Sequence, residues 1–324
     1  MRLTRSIRCT AALAAIPLLA LGLAACSSSS ADSAGPTSSS GAAAGSGGGK
    51  FPVTVTAADG QVTLSQAPSR IVSLSPTSTE DLYAIGAGKQ VVAVDKDSDY
   101  PSSVPKTSLD GITPNVEAIL KYSPDLVIAY ADSNGLVADL KKVGVPVLIE
   151  PSANTLDDAY AQIEQLGQAT GHVAAATSTV TSMKSQIAAA VKQAGAKHSN
   201  LTYYWELDPT YYSATSSTFI GQIVGLFGLK NIADKVDKAA DGGYPQLSSE
   251  YIVQSSPGIV FLADTVCCSA NAATVAARPG WSDITAVKVD DVVGLNDDIA
   301  SRWGPRLPEL VDEIASAVEK APAQ

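Results

Sequence analysis

Several residue types are scarce in this chain, and each scarcity excludes a class of protein. Its 324 residues include only four cysteines and two histidines, so we expect neither a disulfide framework nor a histidine-ligated metal or haem site. Lysine and arginine form no basic block, and the formal net charge is −10 at pH 7, which argues against nucleic acid as a partner. Beyond the N-terminal region, no stretch is long and apolar enough for a membrane helix.

Catalytic signatures are missing as well. The sequence has no Gly-x-Ser-x-Gly elbow, no His-Glu-x-x-His pair and no glycine loop suited to a phosphate. Its two histidines, His172 and His198, fall at the two ends of one predicted helix, far from the predicted cleft. We therefore predict a protein that is not an enzyme, with no catalytic residue, no resident cofactor and no metal site.

The first fifty residues predict the compartment. Three arginines precede an apolar run over residues 11–23, and small residues follow, which is the order of a secretion signal. The tetrapeptide Leu-Ala-Ala-Cys that ends at Cys26 resembles the bacterial lipobox, although an ordinary signal with an incidental cysteine is the alternative. We expect residues 1–25 to be removed, Cys26 to carry lipid, and the Ser-, Gly- and Ala-rich residues 26–50 to form a flexible tether. The predicted location is extracytoplasmic, on the cell membrane.

After the tether, short apolar strands alternate with helices, which indicates parallel sheets flanked by helices. Two helices predicted over 156–169 and 173–196 interrupt the alternation, and the second would be roughly 36 Å long at 1.5 Å per residue. We therefore predict an α/β protein with two Rossmann-like lobes joined by one long rigid α-helix. The predicted boundaries are an N-terminal lobe over 51–154, a helical strut over 155–197 and a C-terminal lobe over 198–324.

A repeated unit relates the two predicted lobes. Residues 117–127 read Glu-Ala-Ile-Leu-Lys-Tyr-Ser-Pro-Asp-Leu-Val, and residues 250–260 read Glu-Tyr-Ile-Val-Gln-Ser-Ser-Pro-Gly-Ile-Val. Glu, Ile, Ser, Pro and Val coincide without gaps, which indicates two copies of one structural unit. The copies begin with Glu117 and Glu250, so we expect these glutamates at corresponding surface positions.

Several motifs together resemble one family. The strand with its Ser-Pro at residues 70–76, the Ser-Asp-Tyr-Pro at 98–101, the repeated Ser-Pro unit and the strut resemble the cobalamin/iron-siderophore class of periplasmic binding proteins of ABC importers. Within this helical-backbone class, called class III, the chain is most similar to cobalamin-binding proteins over residues 70–320. The resemblance implies a ligand cleft between two lobes, a monomer, and an importer permease and ATPase as partners.

The resemblance also implies roles for single residues. Glu117 and Glu250 would pair with arginines of the permease, since two carboxylates held apart by a strut can recognise two basic patches. The alternative is that each glutamate only stabilises the start of its own helix. Likewise, each candidate tyrosine could be ordinary packing, and the acidic and basic candidates could form a surface ion pair. The candidate ligand-binding residues are Tyr100, Tyr211, Tyr212, Tyr244, Asp298 and Arg302.

The sequence departs from the cobalamin-binding pattern in two places. Gly111 and Ile112 stand where that pattern has a tryptophan, and the pair Cys267-Cys268 is foreign to it. The cysteines could be free thiols, a vicinal disulfide or a ligand contact. Trp281 is predicted to pack rather than to touch ligand.

The predicted ligand is cobalamin or a related corrinoid, and a ferric siderophore or haem is the alternative within the class. An anionic siderophore would call for convergent arginines, and the candidates Arg278, Arg302 and Arg306 all fall in the second lobe. A ligand-sensing surface receptor is the alternative from another class, because the sequence does not distinguish import from signalling.

Overall fold

A computed structural model describes residues 49–195 and 200–321 of the chain. The predicted signal, the predicted lipid site Cys26, most of the tether and His198 lie outside the described residues. The first described element is a hairpin in which β1 (Val53–Ala57) pairs antiparallel with β2 (Gly60–Leu64). Within the described ranges, no helix is both long enough and apolar enough to cross a membrane.

Four parallel strands form the first sheet, in the order β4-β3-β5-β6. Three of them are fully buried apolar runs and the fourth is nearly so, as expected for a parallel sheet with both faces covered. The strands are β3 (Ile71–Leu74), β4 (Val91–Val94), β5 (Leu126–Ala129) and β6 (Val147–Ile149), and the helices are α1 (Pro76–Ala84), α2 (Val116–Leu120) and α3 (Leu136–Lys142).

Two helices follow the first sheet. Helix α4 (Leu156–Thr170) begins with a capping box formed by Thr155 and Asp158. It ends at Gly171, whose φ of 81° is left-handed, so the chain turns there before α5 (Val173–Ala194) begins. Helix α5 has 22 residues and is about 33 Å long at 1.5 Å per residue.

The second sheet is also parallel, in the order β10-β9-β7-β8. A long helix then completes the chain and packs against α5. The strands are β7 (Thr202–Glu206), β8 (Lys230–Asn231), β9 (Ile259–Leu262) and β10 (Val292–Gly294). The helices are α6 (Phe219–Gly225), α7 (Ser249–Ser255), α8 (Thr265–Cys268), α9 (Ala272–Ala276), α10 (Thr285–Lys288), α11 (Asp297–Ser301) and α12 (Leu307–Lys320).

One buried apolar cluster extends through both sheets. Side chains on one face of β3 and β5 join side chains of α5 and α12, and these continue to Tyr203 and Trp205 on β7. Tyr204, between them, points to the other face of the second sheet and belongs to a separate cluster, as the two-residue period of a strand requires. The two sheets are therefore bound to one shared core.

The predicted fold class is confirmed: two parallel α/β sheets are connected through a long helix. Helix α6 begins after its N-cap Thr218, and α12 begins at Leu307. The hairpin β1–β2 and the edge strands β8 and β10 were not predicted. The boundaries of the two lobes and the strut stay a prediction.

Candidate functional site

Loops from the carboxyl ends of both sheets line a cleft between the two halves of the described chain. In open α/β sheets, ligands bind outside these strand ends. The cleft has a volume of about 300 Å³, at the lower end for small-molecule sites. Its lining comes from the loops after β3, β4, β5 and β10: Leu74, Ser75, Pro76, Thr77, Asp95, Asp97, Gly111, Ile112, Tyr130, Asp298, Ser301, Arg302 and Trp303.

A larger groove of about 770 Å³ lies elsewhere. It runs between the hairpin β1–β2 and the residues that precede β5 and β6, and therefore faces the amino ends of those strands. None of the predicted site residues lines it. The cleft at the carboxyl ends is the candidate site, because both lobes line it and two of its lining residues, Asp298 and Arg302, are predicted ligand residues.

The first lobe contributes an apolar and aromatic wall. Ile112 lines the cleft and is 70% exposed. Tyr100, 45% exposed, is not a lining residue and lies on the loop that carries the lining residue Asp97. A Cβ atom at Gly111 would lie 2.6 Å from the carbonyl oxygen of Leu74, so no side chain fits there on this backbone. The missing tryptophan thus has a steric explanation. Tyr130 also lines the wall; the sequence analysis missed it, although it directly follows β5.

Two predicted tyrosines of the second lobe, Tyr212 and Tyr244, are half-exposed but do not line the cleft itself. An isolated bridge between Tyr212 and Gln246 brings their two segments together. Tyr211 differs from its neighbour, because its ring stacks on Trp281 with centroids 5.7 Å apart. Trp281 is fully buried, in agreement with its predicted packing role. Of the adjacent candidates, Tyr212 is therefore the one free to meet a ligand.

Asp298 and Arg302 both line the cleft and pair with each other at 2.7 Å. Asp298 lies in α11, whereas Arg302 follows this helix with an extended backbone (φ −113°, ψ 136°). Its guanidinium therefore reaches across the cleft: Nη1 donates to Glu80 (2.8 Å) and to Asp99 (3.0 Å), and Nη2 donates to the carbonyl of Asp97 (3.1 Å). The ligand role of both residues stays a prediction.

The carboxylate of Glu80 is buried and receives a second arginine from the other lobe. Arg306 donates from Nε at 2.7 Å and from Nη2 at 2.5 Å. Burial lowers the pKa of both arginines, but the hydrogen bonds to Glu80 outweigh it and raise the pKa above the ordinary value. Glu80 is therefore the negative centre of a cross-lobe ion cluster.

Two further carboxyl groups are buried close to this cluster. Burial, and then the charges of Glu150 and Glu80, raise the pKa of Asp81 well above its ordinary value. Burial alone raises the pKa of Glu150 to about 8. Oδ1 of Asp81 and Oε1 of Glu150 have no hydrogen-bond partner. Near neutral pH the carboxyl group of Glu150 is consequently held mainly in the neutral form.

The two glutamates predicted to dock on the permease occupy equivalent positions. Glu117 is the second residue of α2 and Glu250 the second of α7, and both are exposed. The side chains that cap these helices are Asn115 and Ser248. Capping does not require the glutamates, although a negative charge in the first turn remains favourable. Their docking role stays a prediction.

Cys267 and Cys268 form a vicinal disulfide in the exposed helix α8. The carboxylate of Asp297 accepts hydrogen bonds from the backbone N–H of Val266 (3.0 Å) and of Cys267 (2.8 Å). This helix is thereby fixed beside the segment that carries Asp298. Of the states considered from the sequence, the structure shows the disulfide.

A cleft between two α/β lobes, with exposed aromatic side chains, defines a solute-binding protein. Residues 71–299 match the family model described as periplasmic binding protein, and the chain belongs to this family. Its members in ABC transport are solute-binding proteins and not enzymes, so the prediction of no enzyme activity is confirmed. The family and its lipoprotein relatives also support an extracytoplasmic location and an importer as the partner.

Individual relatives differ in the ligand their names give. An uncharacterized ABC transporter substrate-binding lipoprotein of Bacillus subtilis, YvrC, is 35% identical over 278 residues, covering 83% of this chain and 86% of the relative. A cobalamin-binding protein of Halobacterium salinarum is 31% identical over 279 residues, covering 82% of this chain and 74% of the relative. The chain also superposes on a crystal structure with a TM-score of 0.67 and 28% identity. That structure is of a possible iron-binding (periplasmic solute-binding) protein from Staphylococcus epidermidis, and the match covers 78% of this chain and 99% of that protein.

Proposed function

We propose that this chain is the substrate-binding lipoprotein of an ABC importer, and that it binds cobalamin or a related corrinoid in the cleft and delivers it to the permease. The similarity to a cobalamin-binding protein at 31% identity supports this ligand. So does the aromatic lining, because tyrosine rings offer flat apolar faces with a hydroxyl at the edge.

The pairing of the arginines is the observation that carries this choice. Both terminal nitrogens of Arg278 donate hydrogen bonds to the carboxylate of Glu206 at 2.6 Å. Arg302 and Arg306 both form salt bridges with Glu80. The three arginines that would have recognised an anionic chelate thus already neutralise carboxylates of the protein. A neutral ligand rich in amide groups suits the remaining surface better, since Asp298 can accept N–H groups.

The size of the cleft fits a ligand that is only partly enclosed. A corrin ring with its side chains exceeds about 300 Å³, so part of it would lie among the exposed tyrosines at the mouth. Tyr100 stands on the first lobe, and Tyr212 and Tyr244 stand on the second. Aromatic contacts from both sides would hold the ring as a sandwich.

A ferric siderophore or haem is the second candidate ligand. It is supported by the structural similarity to a protein described as possibly iron-binding. The chain would then use tyrosine hydroxyls rather than histidine, because His172 is the N-cap of α5 with Nδ1 beside Thr170, away from the cleft lining.

The ligand is tested by calorimetric titration of the chain from Lys50 onward with cyanocobalamin, cobinamide, ferric siderophores and haem. We expect saturable corrinoid binding that weakens at least about tenfold, or about 1.4 kcal/mol, in Tyr100→Ala and in Tyr244→Ala. Tyr160→Phe, on the strut, serves as the control and should bind normally. Binding of a siderophore or haem instead of a corrinoid would reject the proposed ligand and keep the transport class.

The proposal includes a lipid on Cys26 and a monomeric protein at the membrane. Two or more acyl chains anchor a protein durably, whereas one holds it only marginally. We expect Cys26→Ser to be released into the medium in a form that still binds ligand. Retention of this variant on cells would reject the lipid anchor. A receptor that only senses its ligand would leave corrinoid uptake unchanged when the chain is deleted.

A further inference from the structure

The loop that carries Tyr100 is held by side chains of the opposite lobe. This loop follows β4, and Arg302 and Arg306 approach it from the segment between α11 and α12. Arg302 binds the carboxylate of Asp99 and the carbonyl of Asp97. The guanidinium carbon of Arg306 lies 4.2 Å from the centre of the Tyr100 ring, within the distance of a cation–π contact.

Glu80 fixes the orientation of Arg306. Its two carboxylate oxygens each accept one hydrogen bond from Arg306, from Nε at 2.7 Å and from Nη2 at 2.5 Å. Such a fork sets the plane of the guanidinium as well as its position. The side chain of Glu80 is 1% exposed and that of Arg306 is 12% exposed, so water competes little for these bonds. The buried carboxylate of Glu80 therefore determines the plane of the Arg306 guanidinium, against which the Tyr100 ring packs.

We propose that Arg306 and Glu80 are positioning residues for ligand binding, which set the ring of Tyr100 in the cleft through a contact between the lobes. This rests on the proposed function, in which Tyr100 touches the ligand. Arg306 itself need not touch the ligand. Any change in lobe spacing would move Arg306 relative to the loop and would thus change the aromatic wall.

Besides the two arginines, the loop has a polar anchor near its start, and the buried side chain of Val104 holds its end. The hydroxyl of Ser98 donates to Asp95 and also lies 2.9 Å from that of Thr79, which fixes the backbone at residue 98. Nothing in that anchor orients the ring two residues later. The tyrosine is 45% exposed, so its ring would rotate freely without the guanidinium beneath it.

Lysine is the informative replacement for Arg306. Lysine keeps the positive charge beside Glu80, but it lacks the planar fork and cannot bind both oxygens in the same way. Arg306→Lys should consequently leave Glu80 neutralised and the fold intact, and should release the ring. The matched control is Arg278→Lys, which breaks the similar fork to Glu206 inside the second lobe.

NMR relaxation of the Tyr100 ring tests the positioning without a ligand. We expect the order of the ring to fall in Arg306→Lys, while Arg302 and Ser98 still hold the loop backbone. Arg278→Lys should leave the ring unchanged. Equal ring order in the original protein and in Arg306→Lys would overturn the proposal, whatever ligand the cleft binds.

A double-mutant cycle with cyanocobalamin tests the coupling to the ligand. We expect Arg306→Lys to weaken binding about fivefold when Tyr100 is present and to have no effect in Tyr100→Ala, because the arginine acts through the ring. Additive effects of the two substitutions would overturn the proposal. If the original protein does not bind cyanocobalamin, the proposed ligand fails, and NMR relaxation of the ring alone decides whether Arg306 positions Tyr100.

Discussion

The two lobes have the same strand order but use their buried glutamates differently. In both, the first strand lies between the second and the third, and the fourth is at the edge. In the second lobe, Glu206 at the end of β7 pairs with Arg278 of the same lobe. In the first lobe, Glu80 on α1 has both of its arginine partners, Arg302 and Arg306, in the other lobe. One ion pair stabilises a lobe, whereas the other binds two lobes together.

The surroundings of the two glutamates also differ. Arg278 lies 4.5 Å from the ring of Trp281 and 5.4 Å from that of Tyr211, so it has support besides its carboxylate partner. Arg302 depends on carboxylates and one carbonyl from the first lobe, apart from Asp298. Duplicated units have thus diverged: the second lobe is stabilised internally, and the first lobe is stabilised through its neighbour.

The largest expected effect follows from Glu80→Gln. It leaves two buried arginines without their shared negative charge, and breaking a buried ion pair in this way costs about 4 kcal/mol of unfolding free energy. Urea unfolding measures this cost, and Glu164→Gln, at an exposed position of α4, is the control. A cost below about 1 kcal/mol, the level of an exposed pair, would remove the distinction between the lobes.

The second effect is the change of the free energy of unfolding with pH that Glu150 causes. This residue directly follows β6. Its pKa is raised by burial from the ordinary 4.5 to about 8, so the folded state holds a proton that the unfolded state releases. Stability from this group is complete below pH 4.5 and is lost as pH rises toward 8. At pH 7 the loss is roughly 3 kcal/mol. We expect Glu150→Gln to be more stable than the original protein at pH 8 and less dependent on pH.

Asp264, which follows the inner strand β9 of the second sheet, adds a smaller contribution of the same sign. Burial, and then the charge of Glu206, raise its pKa to about 7. Urea unfolding between pH 5 and pH 8 should therefore show a remaining slope in Glu150→Gln that Asp264→Asn reduces further. A flat profile in the original protein would contradict the assignment of both groups.

The third effect is that of Glu206→Gln in the second lobe. We expect a loss of about 2 kcal/mol, less than for Glu80→Gln, because the aromatic rings continue to support the cation of Arg278. The same urea experiment measures both. A greater loss for Glu206→Gln than for Glu80→Gln would reverse the comparison of the lobes.

The smallest expected effect concerns the two glutamates that are predicted to dock on the permease. If the predicted docking role holds, Glu117→Ala and Glu250→Ala should each lower uptake about tenfold, equivalent to about 1.4 kcal/mol, because equivalent charges would then contact equivalent permease subunits. Cyanocobalamin affinity of the purified variants should not change. Uptake assays in cells and calorimetry check the two halves of this prediction, and normal uptake in the double variant would eliminate the docking role.

Local patterns allowed the sheets and the long helices to be predicted. Apolar runs bounded by Ser-Pro and by glycines located β3, β5, β7 and β9, and the repeated unit located Glu117 and Glu250 at the same position of two helices. These signals lie within a few residues of one another. The hairpin β1–β2 and the short edge strands have weak patterns, and they were missed.

The contacts across the cleft could not be predicted in the same way. Glu80 and Arg302 are 222 residues apart in the chain, and no periodicity links them. For the same reason the sequence could not separate Tyr211, which stacks on Trp281, from the exposed Tyr212. Family resemblance identified the segments of the site, and only the fold shows which side chains are already paired.

The apolar cluster shared by both sheets has a consequence for inheritance. Since α5 and α12 complete the core of each half, neither half contains all the side chains that bury its own strands. A recombinant that takes one lobe from a relative would fold only if α5 and α12 came from the same relative. Changes in ligand specificity are therefore expected to arise from single substitutions around the mouth of the cleft. The two lobes are expected to be inherited together.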